Sequence, residues 1–286
     1  MARDAVGEFL DESPFQLAAA VSFFTLLSLS PLVLVVVGAA GLVWSADAVR
    51  TQLLAQIEQL IGPAGAETVS TVLTNTFDPG RSALSIVIGI ATLLVGATTA
   101  FAQLQAALNR IWNVEAAPTQ SAVWGLIRSR LLSLTLVLVL GFLLLVSLAV
   151  STVLAALHTH VAGLAPAGGG LWRVAEFMVS CTAIAILIAA IFKVLPDVRI
   201  AWPDVWFGAV VTSILFGVGK FLIGLYLGFA SIASSYGAAG SVVVFLLWVY
   251  YSSLIILFGA QLTQTYARRR GASIHPAAYA VAVPRD

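Results

Sequence analysis

The residue with the clearest chemical potential is Lys220, an amine well inside the apolar segment Val205–Phe229. At about 1.5 Å of rise per helical residue, it lies near the centre of a bilayer and slightly toward the outer side. A lysine at that depth costs about 2.5–3.5 kcal/mol on insertion scales, so something must offset the charge. One interpretation is an anionic head group bound in transit. The other is extension of the amine to the outer surface or pairing with Glu176.

Further polar residues lie inside or at the ends of apolar segments, where they could contact an anionic substrate. Arg110 follows a polar helix end that carries Asn109. The candidate substrate-binding residues are Lys220, Arg110, Asn109, Glu176, Tyr226 and Gln261. A second set of cations is predicted to meet the phosphates of anionic lipids at the inner leaflet, although these charges could instead serve only to orient the helices. That set is Arg128, Arg130, Lys193 and Arg199.

Small and hydroxyl-bearing residues allow two interpretations each. The Gly-x-x-x-Gly pattern at Gly224 and Gly228 predicts close helix packing, and the alternative is a hinge. Ser22, Thr25 and Ser28 fall on one face of the first apolar run. They could line a substrate path or form hydrogen bonds between helices.

Patterns typical of enzymes, metals and cofactors are missing from the sequence. His158 and His160 are two residues apart and would point to different sides of a helix, and one cysteine, Cys181, leaves a zinc site without ligands. The glycines of 167–170 are not followed by the Lys-Ser/Thr of a phosphate-binding loop. We therefore expect no enzyme and no cofactor. The net charge of +1 gives no reason to expect a nucleic-acid partner.

The composition indicates that lipid surrounds most of the chain. Hydrophobic residues make up 60% and charged residues 9% of the 286 residues, against about 45–50% and about 25% in soluble domains. No charged residue occurs in 13–46, 82–109, 131–172 or 221–267. Each run exceeds the roughly 20 residues that a helix needs to cross the hydrocarbon. The runs are continuous and do not alternate, which predicts an all-α, polytopic membrane protein.

We place a six-span membrane domain at residues 17–270, between an N-terminal interfacial segment (1–16) and a flexible cytoplasmic tail (271–286). The predicted spans lie near 17–44, 83–104, 131–157, 174–193, 205–229 and 242–266. Of the 14 Lys and Arg residues, most fall on the side that holds both termini and the second and fourth connections. Because cytoplasmic loops are enriched in Lys and Arg, both termini are predicted to be cytoplasmic.

The long outward connection, residues 45–81, is predicted to form an amphipathic helical hairpin. Val49, Leu53 and Ile57 recur at helical spacing with polar residues between them, and Gly62-Pro63 interrupts the pattern. The hairpin could pack on the outer ends of the bundle, or it could act as a lid or a partner-binding surface.

Several motifs resemble the YihY/BrkB family of membrane proteins over about Phe15–Gln264. They are residues 18–31, the sequence Leu-Gln-Ala-Ala-Leu-Asn-Arg-Ile-Trp at 104–112, Leu-Pro-Asp at 195–197 with Trp202, Ser-Tyr-Gly-Ala at 235–238, and Leu-Phe-Gly-Ala-Gln at 257–261. Gln261 departs from the acidic residue that the family often carries there. The resemblance implies six spans in the bacterial inner membrane and a role in handling lipids or other envelope components; an earlier ribonuclease label for the family is regarded as mistaken.

Taken together, these features predict a transporter or flippase-like handler of an amphiphilic, anionic envelope molecule such as a lipid. The alternatives are a non-transporting membrane scaffold for envelope partners and a small-solute exporter. The expected partners are membrane lipids, with a second copy of the chain or an envelope protein as further possibilities. Lys220 and Arg110 are the residues expected to contact the head group.

Overall fold

The computed structural model describes residues 2–40, 46–76, 99–117, 169–229, 240–272 and 275–283. These residues are mostly helical, as the continuous apolar runs predict. The helices are α1 (Ala2–Asp11), α2 (Pro14–Ala40), α3 (Ala46–Thr76), α4 (the helical residues 99–111), α5 (Gly169–Val194), α6 (Trp202–Phe229) and α7 (Gly240–Arg269). The short strands are β1 (Val114–Ala116), β2 (Val198–Arg199), β3 (His275–Pro276) and β4 (Ala280–Ala282).

Four of the helices correspond to predicted membrane spans. Helices α2, α5, α6 and α7 overlap the spans predicted near 17–44, 174–193, 205–229 and 242–266. Two helical segments in the described part of the chain, Trp202–Ile223 and Gly240–Arg269, are long and apolar enough to cross a membrane. The span predicted at 131–157 and most of the span predicted at 83–104 lie outside the described residues.

The main hydrophobic core joins α2, α4, α5, α6 and α7 at the end of the bundle where α1 also lies. Leu108, Ile111, Phe192 and Leu257 are fully buried in it. Helix α1 joins this core through Phe9, whose ring meets that of Phe258 edge-on at 5.3 Å between centroids. The burial of these large side chains fixes the positions of the polar groups described below.

Helices α6 and α7 pack glycine against threonine at two reciprocal positions. A Cβ built on Gly208 of α6 would lie 2.9 Å from the Cβ of Thr263 of α7, and one built on Gly259 of α7 would lie 2.9 Å from the Cβ of Thr212 of α6. Each helix therefore carries glycine and threonine four residues apart, which is the small-xxx-small arrangement of closely packed membrane helices. Further along, Gly219 lies against the ring of Tyr251, whereas Gly217 has open space beside it.

Three polar residues of α2 bond to protein groups. Ser22 Oγ donates to the carbonyl of Leu246 on α7 at 2.8 Å, while Thr25 and Ser28 donate to carbonyls of their own helix. For Ser22 the structure therefore shows a hydrogen bond between helices.

Helix α3 doubles back on itself near Pro63. A straight helix would place Arg50 and Thr74 about 36 Å apart, yet Arg50 Nη2 donates to Thr74 Oγ1 at 2.8 Å. The helical conformation continues through Pro63, where the sequence predicts an interruption. The inner faces of the two halves, with Val69 and Leu73, pack on Leu29 of α2 and Phe245 of α7.

Residues 275–283, within the tail predicted after residue 270, contain two short strands. Strand β3 pairs antiparallel with β2, and β4 pairs antiparallel with β1. The strands pair through backbone groups and are only two or three residues long. They are therefore too short to show an alternating apolar pattern in the sequence.

Candidate functional site

The polar groups of the described chain concentrate where α1, the last turns of α4 and α7, and the α5–α6 connection meet. We call this the charged end; its members are Asp4, Glu8, Glu12, Asn109, Arg110, Asp197, Asp204, Gln261, Gln264 and Arg268–Arg270. The side chains are brought together by long-range contacts, because they come from five segments of the chain.

Asp197 is the buried centre of the charged end, with 5% of its surface exposed. Its carboxylate accepts hydrogen bonds from Asn109 Nδ2 at 2.8 Å and Gln105 Nε2 at 3.1 Å, and its backbone N–H donates to Asn109 Oδ1 at 2.8 Å. Its carbonyl accepts the N–H of Ala277. Asp197 thus ties α4 to the α5–α6 connection and to the C-terminal strands.

Gln261 is fully buried and bonds to other protein groups. Its Nε2 donates to Glu8 Oε2 at 2.7 Å and to Gln264 Oε1 at 3.0 Å. Gln261 Oε1 and Gln264 Nε2 have no hydrogen-bond partner among the residues that the structure describes. These contacts place Gln261 in the interior of the charged end, where it anchors α1; a role in binding substrate stays a prediction.

The arginines of the charged end are paired with carboxylates. Arg110 Nε lies 3.1 Å from Glu12, Arg268 lies 3.6 Å from Glu8, and Arg270 lies 3.7 Å from Asp204, while Arg269 pairs with Asp4. The predicted head-group contact of Arg110 thus competes with its bond to Glu12. These ion pairs connect α1 to the ends of α4 and α7, and α6 to the end of α7. They therefore contribute to holding the helices together.

A double-mutant cycle of Arg110→Ala and Glu12→Ala tests the weight of this pairing. We expect a coupling free energy of at most about 1 kcal/mol, because Arg110 is half exposed and water screens the pair. Reversible unfolding in mixed detergent–SDS micelles measures it. A coupling well above that value would show that the bond to Glu12 makes a larger contribution than an exposed ion pair normally does.

Lys193 and Arg199 lie at the junction of α5 and α6 and differ from these arginines. Lys193 Nζ donates to the carbonyl of Ile200 and lies 5.3 Å from the ring centroid of Trp202. Arg199 is exposed on β2. Neither has a carboxylate partner among the ion pairs formed by the described residues.

Lys220 is exposed on α6, on the far side of the glycine contacts from the charged end. Its neighbours Val218, Phe221 and Leu222 each have more than half of their surface exposed, so the ammonium lies among apolar side chains. Within the described part of the chain no carboxylate pairs with it. Tyr226 is likewise exposed.

Other predicted contacts cannot be placed. Arg128, Arg130 and the side chain of Glu176 lie outside the described residues, and so does any pairing of Lys220 with Glu176. Among the described His, Cys, Asp and Glu side chains, no group of three is arranged to hold a metal ion.

Pattern reasoning missed the two carboxylates on which the charged end depends. Asp197 is present in the Leu-Pro-Asp motif but carries no periodic signal, and Glu8 resembles an ordinary surface residue of an interfacial helix. The one usable signal for Asp197 is its lone acidic side chain between two apolar segments, because such a group requires polar partners once buried.

Comparison with known proteins places the chain in a family. The chain is 27% identical to a UPF0761 membrane protein of Psychrobacter sp. (strain PRwf-1), over 96% of this chain and 49% of that protein. It is 29% identical to a UPF0761 membrane protein of Pseudomonas aeruginosa (strain LESB58), over 91% of this chain and 61% of that protein. A UPF0761 membrane protein of Alteromonas mediterranea is 29% identical over 86% of this chain and 80% of its own length.

The chain thus spans about half to three fifths of the length of the first two relatives. No solved structure matches it. The family described as virulence factor BrkB matches residues 5–282, nearly the whole chain. With its apolar helices and its similarity to these membrane proteins, the chain is an integral membrane protein that belongs to the BrkB family.

Proposed function

We propose that this protein crosses the bacterial inner membrane six times, with both termini in the cytoplasm, and handles an amphiphilic anionic envelope molecule such as a phospholipid along α6. The observation that carries the proposal is the exposed amine of Lys220 among exposed apolar side chains. An anionic lipid would stabilise an ammonium in that position. Its head group would contact the charge of Lys220, and its acyl chains would contact the apolar side chains around it.

The exposed face of α6 supports this role. Side chains four residues apart point away from the bundle: Trp202, Trp206, Val210, Ile214, Val218 and Leu222. They form one continuous apolar stripe, because positions i and i+4 are neighbours on the helix surface, and this stripe winds about 40° around the axis of α6 at each step. Lys220 lies near one end of this α6 stripe, so a lipid on it would meet the cation after crossing most of the hydrocarbon.

The orientation rests on the distribution of cations. The charged end carries Arg110 and Arg268–Arg270, and the excess of Lys and Arg on this side supports its placement in the cytoplasm. Because these arginines are paired with carboxylates, we assign the anion-handling role to Lys220 and not to Arg110.

Lipid movement in vesicles tests the proposal. The full chain is reconstituted with fluorescent phosphatidylglycerol or fluorescent phosphatidylcholine, and the rate of exchange between leaflets is measured. We expect Lys220→Met to slow phosphatidylglycerol exchange about fivefold or more, which corresponds to the loss of about 1 kcal/mol of attraction between the ammonium and an anionic head group. Exchange of phosphatidylcholine should change little.

Lys220→Arg is the matched control, because it keeps the charge and a long apolar stem. We expect it to retain most of the phosphatidylglycerol exchange. Equal rates for wild type and Lys220→Met with both lipids would count against the function.

A scaffold for envelope partners is the second candidate, and the hairpin in α3 favours it. The inner face of α3 is packed on α2 and α7, while Thr51, Glu58, Glu67 and Thr71 are exposed. Glu58→Lys with Glu67→Lys would change that surface without touching Val69 or Leu73. Loss of a co-purifying protein with unchanged lipid exchange would favour the scaffold.

A further inference from the structure

We propose that Lys193, Arg199 and Trp202 form a binding site for the phosphate of an anionic phospholipid, whose acyl chain lies along the α6 stripe. The inference rests on the membrane location in the proposed function and extends it, because it assigns a head-group site at the opposite end of α6 from Lys220. The site lies where α5 ends and α6 begins, beside strand β2.

Charge availability is the first step. Four arginines of the charged end, Arg110 and Arg268–Arg270, have carboxylate partners. In the ranges that the structure describes, Lys193 and Arg199 have none, so a phosphate would not have to displace an acidic side chain. Anionic lipid is the complementary partner for such cations at a membrane surface.

The geometry at Lys193 is the second step. Its ammonium is held by the carbonyl of Ile200 and lies over the ring of Trp202 at 5.3 Å. An ammonium has three N–H donors, so the bond to one carbonyl leaves others for phosphate oxygens. The amine is therefore held in place before a lipid arrives, which lowers the entropy cost of binding.

The surface beside these cations is the third step. Trp202 is 54% exposed, and an exposed tryptophan is typical of the boundary between head groups and hydrocarbon. From Trp206 to Val218 the α6 stripe rises about 18 Å, which covers the roughly 15 Å depth of one leaflet. The cations, Trp202 and the α6 stripe thus follow one another along the protein in the same order as the phosphate, the boundary region and the acyl chains of a lipid.

A second copy of the chain is the alternative occupant of the stripe. The unpaired cations favour lipid. A symmetric contact between two copies would bring Lys193 and Arg199 of one copy close to the same cations of the other, and no described carboxylate pairs with them to reduce the repulsion.

Lipid binding by the purified full chain is measured by native mass spectrometry, with phosphatidylglycerol and phosphatidylcholine titrated separately. We expect wild type to prefer phosphatidylglycerol. Arg199→Gln should weaken its binding about fivefold, and Lys193→Gln with Arg199→Gln about 25-fold, at roughly one such factor per cation near an anionic lipid.

Arg269→Gln is the matched control, since it also removes one exposed arginine charge, but one paired with Asp4. It should change phosphatidylglycerol binding less than twofold. Arg199 has no described side-chain partner, so Arg199→Gln should also unfold like wild type in a thermal scan. Folded Arg199→Gln that binds like wild type, or like Arg269→Gln, overturns the inference, and so does a stable dimer that excludes lipid.

The outcome is separable from that of the proposed function. Intact, Arg199-dependent phosphatidylglycerol binding together with Lys220-independent exchange would remove the proposed function and leave this site. Exchange that depends on Lys220 but not on Arg199, with no preference for phosphatidylglycerol in binding, would remove this site and leave the function.

Discussion

Asp197→Ala is expected to reduce the free energy of unfolding by about 3 kcal/mol, the first of the two largest effects predicted for this protein. The buried carboxylate accepts hydrogen bonds from Asn109 and Gln105, and bonds to a charged group contribute about 1.5–3 kcal/mol each. Alanine also leaves the amide donors of both residues without this acceptor. Unfolding in mixed detergent–SDS micelles measures the loss.

Asp197→Asn should lose about half as much, because its remaining carbonyl can accept one of the two bonds while its NH₂ group faces a donor. A double-mutant cycle with Asn109→Ala should give a coupling of more than about 1 kcal/mol, as expected for residues in one hydrogen-bond network. Gln105, at 3.1 Å from the carboxylate, should couple more weakly than Asn109 at 2.8 Å.

Glu115→Ala is the matched control for these variants. Glu115 is an exposed carboxylate in the neighbouring strand β1, so its removal should change stability by less than about 0.5 kcal/mol. If Asp197→Ala and Glu115→Ala cost the same, Asp197 would not be the structural centre of the charged end.

Helices α2, α5, α6 and α7 were predictable because each consists largely of one long apolar run. A helix needs a minimum length to cross the lipid, so a long apolar run such as 221–267 predicts a spanning helix without any tertiary information. The chain reversal in α3 could also be predicted from Gly62-Pro63, although the chain stays helical through the proline. Pairing of residues 275–283 was not readable, since two- and three-residue strands depend on where the rest of the chain brings their partners.

The candidate site was predictable only for residues that are anomalous in their own segment. Lys220 stands out because it interrupts an apolar helix, and the structure leaves it exposed. Arg110 looked equally available, but its partner Glu12 is 98 residues away. A pair so far apart in the sequence cannot be predicted from local patterns. An arginine that pairs with a carboxylate of the protein therefore looks the same in the sequence as one that is free to bind a ligand.

These placements divide the cations by chemistry. The guanidinium groups near α1 are balanced by Asp4, Glu8, Glu12 and Asp204 and hold the N-terminal helix. Among the described cations without a carboxylate partner, Lys193, Arg199 and Lys220 lie on or just before α6, whereas Arg50 of α3 is bonded to Thr74. We therefore expect lipids to bind along α6, and the packing of α6 against α7 determines where these cations lie.

The contact between α6 and α7 gives the second large effect. Gly208→Ala and Gly259→Ala are each expected to reduce stability by about 1–3 kcal/mol, because a new methyl group would overlap Thr263 or Thr212 and force the helices apart. The threonines cannot easily turn away, since Thr263 Oγ1 donates to the carbonyl of Gly259 at 2.7 Å and Thr212 Oγ1 to that of Gly208 at 2.6 Å.

A graded series of alanine substitutions makes this prediction specific. Gly219→Ala should cost less than Gly208→Ala, because the Tyr251 ring that it meets belongs to a side chain that can rotate. Gly217→Ala should be neutral or stabilise by up to about 1 kcal/mol, because nothing lies within 4 Å of its new methyl group and alanine loses less backbone entropy in a helix. Since Gly259 precedes the buried Gln261 by half a turn, Gly259→Ala should also loosen α1, which limited proteolysis near Asp11 would detect. If Gly208→Ala and Gly217→Ala had the same stability, the close packing of glycine against threonine would not hold α6 against α7.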